Sequence, residues 1–301
     1  MAVPCGISVI INERAGAATK PDAGVEIQSV FEKHGTRVRL ERVRDPGDLA
    51  ARARQAASRQ DVLVAAGGDG TVSAVASVAV ATGATLGVLP MGTLNHFAKD
   101  VALPLDLEGA VSVILAGHVR TLDVGDVNER IFVNNSSVGL YPQMVWHREA
   151  EQRRGRRKWT AFGIALLNTW RDYRMITARL NIDDSTAVVR TPFIFVGNNV
   201  YTAEGFRLGG RSRLDEGTLS IFAAPECGRF EILGLPVRAL AGRLRADRAP
   251  FVGFQAETVQ VDVTHRRVSV AVDGEVVTMT PPLVYRVRRR SLKGLVPETS
   301  E

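Results

Sequence analysis

The 301-residue sequence holds only two cysteines, Cys5 and Cys227, far apart in the chain. That excludes a disulfide framework as the basis of the fold and makes a reducing cytoplasm the expected compartment. No apolar run reaches a spanning length without a Gly, Thr or charged break, and the start, MAVPCGISVIINE, has no basic n-region followed by a long apolar core. No signal peptide is expected, and any contact with a bilayer is expected to be peripheral. The histidines show no zinc-type spacing, and no Gly-x-Ser-x-Gly marks a nucleophilic hydrolase. The G-x-x-x-x-G-K-[ST] loop and the G-x-G-x-x-G fingerprint are both missing, as are internal repeats and low-complexity segments.

What is present suits a globular protein: 45% hydrophobic and 23% charged residues, with a length that allows two domains. The net charge of +6 suits nucleic acid or an anionic membrane surface, and no nucleic-acid module is visible. The densest basic run is HREAEQRRGRRKWTAF, residues 147–162. Its arginines beside Trp159 and Phe162 suit a membrane interface, and a solvated face explains the same run.

Up to about residue 124, strands and helices alternate. HGTRVRLERV reads as a strand, DLAARARQAASRQ as a helix, and 61–66 and 84–89 as strands followed by helices. This is the pattern of a doubly wound parallel sheet. After 130, β-type segments dominate: RIFVNNSSVG, MITARLNID, AVVRTPFIFVGN, GTLSIFAA, TVQVDV and RVSVAVDGEVVTM. They predict an antiparallel sandwich or barrel, interrupted by helices near 144–172 and 228–246.

The chemistry concentrates at two strand-to-helix turns. Residues 67–71 read Gly-Gly-Asp-Gly-Thr after a buried strand. Glycine lets a backbone approach phosphate closely, and a helix start offers N–H groups to an anion. Asp69 adds a carboxylate, which beside phosphates points to a bridging divalent cation. The second turn, in ATLGVLPMGTLNHFA, carries Gly92, Thr93 and Asn95. Two such turns form a crevice at the carboxyl ends of strands, where open α/β sheets bind ligands. By pattern alone, VSVAV-DG-EVVTM is a hairpin with an Asp-Gly turn, and Glu275 is a solvated residue on it.

GGDGT followed by GTLNHFA resembles the diacylglycerol kinase catalytic family, which includes bacterial lipid kinases and sphingosine kinases and shares a superfamily with NAD kinases and phosphofructokinases. ISVIINERAG at 7–16, RTLDVGDVNERIFVNNSSVG at 120–139, GGRSRLDEGTLSIF at 209–222 and VAVDGEVV at 270–277 extend the resemblance over nearly the whole chain. It implies a nucleotide-binding α/β domain over 1–124, completed by 284–301, and a β-sandwich lipid-substrate domain over 125–283, with the active site in the cleft between them. It implies ATP and Mg²⁺ as cofactors and a lipid hydroxyl as acceptor. Asn12, Gly16, Gly67, Gly68, Gly70, Thr71, Gly92, Thr93 and Asn95 are then the nucleotide residues, with Asp69 at the Mg-nucleotide. Glu275 is the general base, and Asp273 places the metal or the hydroxyl. Asp123 belongs to the active-site metal network. The carbonyls of Arg213 and Thr218, the side chain of Glu216 and the adjacent Asp215 form a second, structural metal site.

The sequence also departs from the family pattern. Glu13 and Ala15 stand where Pro and Ser are usual, Ser73 and Ala74 follow GGDGT, and His96 replaces a frequent acid. Val43 or Arg42 falls where a threonine is common. The reading is an ATP-dependent lipid kinase that meets its lipid at a membrane surface, with a homodimer allowed. The alternatives are an NAD kinase-like enzyme and a nucleotide- or lipid-binding regulator without turnover.

Overall fold

The structure is a computed structural model. It describes residues 6–19, 22–59, 62–140, 142, 175–182, 185–201, 203–204, 207–208, 211, 213–224 and 252–298. The helices expected near 144–172 and 228–246, and the basic run 147–162, lie outside the described residues. The chain divides into two units. One comprises Met1–Val124, Ser212–Glu216 and Arg288–Glu301, the other Gly125–Arg211 and Gly217–Val287.

In the first unit the apolar runs become β1 (Ile7–Asn12), β2 (Arg39–Val43), β3 (Val62–Gly67) and β4 (Thr85–Pro90). They lie in the order β2-β1-β3-β4, every pair parallel. β1 and β3 are buried along their whole length, which is why they read as continuous apolar runs rather than alternating ones. The connections are α1 (Ala23–Lys33), α2 (Leu49–Ala57), α3 (Asp69–Thr82), α4 (His96–Asp100) and α5 (Leu107–Ala116). The inner face of α3 is built from Val72, Val75, Ala76, Val78 and Ala79, small side chains that let it pack closely. The strand expected over HGTRVRLERV is shorter, starting only at Arg39. The residues before it finish α1: Gly35 and Thr36 donate back to Glu32 O and Phe31 O, and Gly35 takes φ 71°. The far end of the strand Leu283–Leu295 joins the same sheet, with Lys293 and Gly294 parallel to Thr85 and Leu86 of β4.

The second unit is two antiparallel layers. One runs Val252–Ala256, Leu219–Ala223, Phe193–Asn198, Asn135–Gly139, Val268–Val272, Glu275–Met279. The other runs Ser185–Thr191, Ile176–Ile182, Thr258–Val263 and the first residues of Leu283–Leu295. Ile194, Val196, Ile221 and Val270 from the first layer share one core with Leu180, Val259, Val261 and Tyr285 from the second. Two expected strands are each broken. AVVRTPFIFVGN switches layers at Pro192, where the single Thr191 hydroxyl proton has Ala224 O at 2.7 Å and Phe193 O at 2.9 Å within reach and Oγ1 accepts from the Phe193 N–H. RIFVNNSSVG becomes Arg130–Phe132 and Asn135–Gly139, separated by Val133 and Asn134.

Tyr285 and Phe132 are fully buried and meet edge to face, ring centroids 6.3 Å apart. Burial pushes the Tyr285 hydroxyl well above its ordinary pKa, so it stays protonated and shares a 3.3 Å hydrogen bond with Ser136 Oγ. The outer end of the Phe132 ring sits against Gly125, where a Cβ would fall inside the ring's van der Waals surface. Gly125→Ala is expected to destabilise the protein by about 1–3 kcal/mol through overpacking. Urea unfolding measures it, and Phe132→Leu in the same chain should recover part of the loss.

Candidate active site

The turns that follow β1, β3 and β4 are tied to one another by backbone bonds. The Ala17 N–H donates to Met91 O at 2.9 Å, and the Met91 N–H donates to Gly67 O at 3.0 Å. Gly16 sits at φ 44°, and a Cβ there would collide with Met91 O. A Cβ on Gly92 would run into the Gly68 Cα. Only glycine allows the backbones to come this close. Beneath them Asn12 Nδ2 donates to Thr71 Oγ1 at 3.0 Å, and both side chains are buried.

Gly68 caps α3 without any side-chain hydrogen bond. The Thr71 and Val72 N–H groups turn back to Gly68 O, but those of Asp69 and Gly70 lie in the first turn, which has no intrahelical acceptors for them. A Cβ on Gly70 would meet nothing within 4 Å, so this side of the turn is open. Oriented N–H groups at the start of a 14-residue helix suit a phosphate.

Asp69 Oδ1 accepts the Phe97 N–H at 3.3 Å and so anchors α4, leaving Oδ2 for a ligand. Asn95, at φ 50°, accepts the Gly92 N–H with Oδ1 and donates from Nδ2 to Gly92 O. Its amide shapes the turn. Thr93 and His96 are exposed beside it.

Asp123, 3% exposed, accepts the Arg290 N–H on Oδ1 at 2.7 Å and donates its own N–H to Leu214 O. The Asp215 carboxylate is taken by Arg213, through Nε at 3.0 Å and Nη2 at 3.3 Å. That hydrogen bond holds Asp215 below the usual carboxylate range against the opposing effect of burial, and Arg120 and Arg290 add to the attraction. Glu216 is exposed; Thr218 lies in the second unit, its carbonyl accepting the Asn199 N–H at 2.9 Å. Among the described residues no three His, Cys, Asp or Glu side chains form a metal cluster. Mg²⁺ carried by a nucleotide needs only one or two carboxylates beside the phosphates, so the open oxygen of Asp69 next to the N–H groups of α3 fits that ion.

In the second unit the Asp-Gly turn is a tight hairpin, with Asp273 at φ 46° and Gly274 at φ 87°. The Asp273 carboxylate accepts three consecutive backbone N–H groups: Val133 at 2.8 Å on Oδ2, Asn134 at 2.9 Å and Asn135 at 3.0 Å on Oδ1. The Asp273 N–H in turn donates to Asn135 O at 2.9 Å. Glu275, the next turn residue but one, is exposed and paired with Arg130 at 2.6 Å. Behind this loop, buried Arg211 donates to Val133 O at 2.6 Å and to Asn134 Oδ1 at 2.8 Å, and Asn198 Nδ2 also reaches Val133 O. Arg130, Arg211 and Asn198 were not singled out from sequence. The only signal for them was their place inside the quoted motif segments.

Comparisons with known proteins place the sequence in a family. Residues 6–127 match the diacylglycerol kinase catalytic domain, and residues 141–296 match the YegS C-terminal NAD kinase beta sandwich-like domain. A diacylglycerol kinase of Staphylococcus saprophyticus is 27% identical over 263 residues, covering 85% of this chain and 83% of its own. One from Staphylococcus epidermidis is 28% identical over 261 residues, covering 85% and 79%. The solved structure of a candidate diacylglycerol kinase from Bacillus anthracis shares the fold, with TM-score 0.76 over 99% of this chain and 97% of its own at 20% identity. The two domain matches together span nearly the whole sequence, and the chain belongs to the diacylglycerol kinase family of ATP-dependent lipid kinases, a catalytic domain followed by a YegS-type β-sandwich-like domain.

Proposed function

We propose that the chain transfers the γ-phosphoryl group of ATP to a hydroxyl of diacylglycerol or a related lipid, with Glu275 as the general base. The observation that carries this reading is the turn around Asp273. Its carboxylate is committed to three backbone N–H groups, so it shapes the hairpin, and the carboxylate left at the surface is Glu275. An alcohol attacking phosphorus must lose its proton, and a positioned carboxylate supplies the acceptor. The lipid oxygen bonds to the γ-phosphorus, the bond to the β–γ bridging oxygen breaks, ADP leaves, and the proton passes to Glu275. Mg²⁺ on the nucleotide would neutralise the phosphate charge. Asp69 would hold that ion through the oxygen not bound to Phe97, while the N–H groups of Asp69 and Gly70 hold phosphate oxygens. Asn12, Gly16, Gly67, Gly68, Thr71, Gly92 and Asn95 keep the three turns close enough to do so, and Thr93 stands at their exposed rim.

The test is labelled ATP with a total lipid extract, followed by identification of the labelled product. Glu275→Gln keeps the shape of the side chain but accepts no proton, and turnover should fall on the order of 10²–10⁴-fold with ATP affinity unchanged. Wild-type turnover in that variant refutes the base assignment. Asp69→Asn keeps an oxygen for the Phe97 N–H, so the melting temperature should move by no more than a few degrees while kinase activity is lost. Nucleotide binding by a wild-type protein that labels no lipid would favour the regulator.

A lipid acceptor requires contact with its membrane, and we assign this to the basic run at 147–162. Each Lys or Arg near an anionic surface adds about 1 kcal/mol. Replacing Arg153, Arg154, Arg156 and Arg157 with Gln should therefore weaken binding to vesicles containing phosphatidylserine, and wild-type binding should fall with salt. Salt-insensitive binding, or equal binding by the mutant, overturns the assignment.

A further inference from the structure

Arg130 and Glu275 come from strands 145 residues apart in the chain, and nothing in the sequence pattern pairs them. Arg130 opens the short strand Arg130–Phe132, and Glu275 opens Glu275–Met279. Asp273 draws the two together. By binding the N–H groups of Val133, Asn134 and Asn135, it clasps the hairpin to the residues that directly follow the strand opened by Arg130. The guanidinium then meets Glu275 through one oxygen only, Nη2 to Oε2 at 2.6 Å. Among the described residues no protein group meets Oε1.

We infer that Arg130 is a positioning residue for phosphoryl transfer, which fixes the Glu275 carboxylate by Oε2 and turns Oε1 toward the acceptor hydroxyl. This rests on Glu275 being the base. A glutamate on a hairpin has three rotatable side-chain bonds, and without an anchor its carboxylate samples many orientations. A charged, short hydrogen bond at one oxygen removes most of that freedom and leaves the second oxygen open. The residue that directly follows the strand of Arg130, Val133, is held independently by Arg211 and Asn198, both on its carbonyl, so the anchor has a firm footing.

The test uses the full-length chain with labelled ATP and diacylglycerol in mixed micelles. Arg130→Ala should lower kcat by about 10–100-fold, the scale of a misplaced catalytic group, with KM for ATP unchanged. The melting temperature should move little, because exposed ion pairs add little stability. Arg130→Lys, which restores a single donor, should recover much of kcat. In the Glu275→Gln background, Arg130→Ala should cause no further loss. Full activity in Arg130→Ala beside an inactive Glu275→Gln overturns the inference and leaves the base assignment standing. An equal loss in both backgrounds also overturns it, since Arg130 would then act on substrate directly. An active Glu275→Gln removes the base itself.

Discussion

One carboxylate, that of Asp273, takes three backbone N–H groups in succession, and the architecture around the hairpin follows from it. Charge-assisted bonds of this kind are roughly twice as strong as neutral ones, and backbone donors left without partners away from water carry a large desolvation cost. Once Val133 and Asn134 direct their N–H groups to Asp273, they cannot continue a strand ladder. Their acceptors are engaged as well: Val133 O by Arg211 and the Asn198 side chain, and Asn134 O by the Tyr201 hydroxyl and the Asn198 N–H. The segment is thus defined through its donors and its acceptors. The left-handed backbone of Asp273 and Gly274, unfavourable for most side chains, is compensated by what the carboxylate gains.

The first unit solves a different problem, the close approach of three turns that carry few side chains. Gly16 and Gly92 admit neighbouring backbone where a methyl group would not fit, and the polar side chains nearby serve the turns themselves. Asn95 bonds the ends of its own turn, and Asn12 braces Thr71 from below. The result is three closely packed turns held by backbone and amide bonds, with Ala15 at a position where the family usually has a hydroxyl.

Much of this was legible in the sequence, and the illegible part has a common cause. Continuous apolar runs mark β1 and β3 because both faces of those strands are covered, and Asp-Gly marks the hairpin because its turn needs positive φ. The breaks at Pro192 and at Val133–Asn134 were not legible. Thr191 and Asp273 make them by bonding side chain to backbone, in the second case across about 140 residues. Local propensity there still favours strand. The partners of Asp273 were hidden for the same reason: in the sequence it is an acid in a turn motif, and nothing local shows the three N–H groups that its carboxylate holds. Beyond their place inside motif segments, Arg130 and Arg211 gave no signal, because an arginine aimed at a carbonyl or at a distant glutamate has the same local sequence as one aimed at solvent.

The strand Leu283–Leu295 gives β4 its outer neighbour through Lys293 and Gly294. Strand β4 ends at Pro90, so about 200 residues must leave the ribosome before that neighbour exists. N-terminal segments usually fold first during synthesis, but the parallel sheet here has to wait, with one edge of β4 unpaired and available for wrong pairings. A nascent chain of this protein therefore has a long window in which a chaperone has something to protect, and a chain cut short before residue 293 would hold a first unit that cannot finish its own sheet.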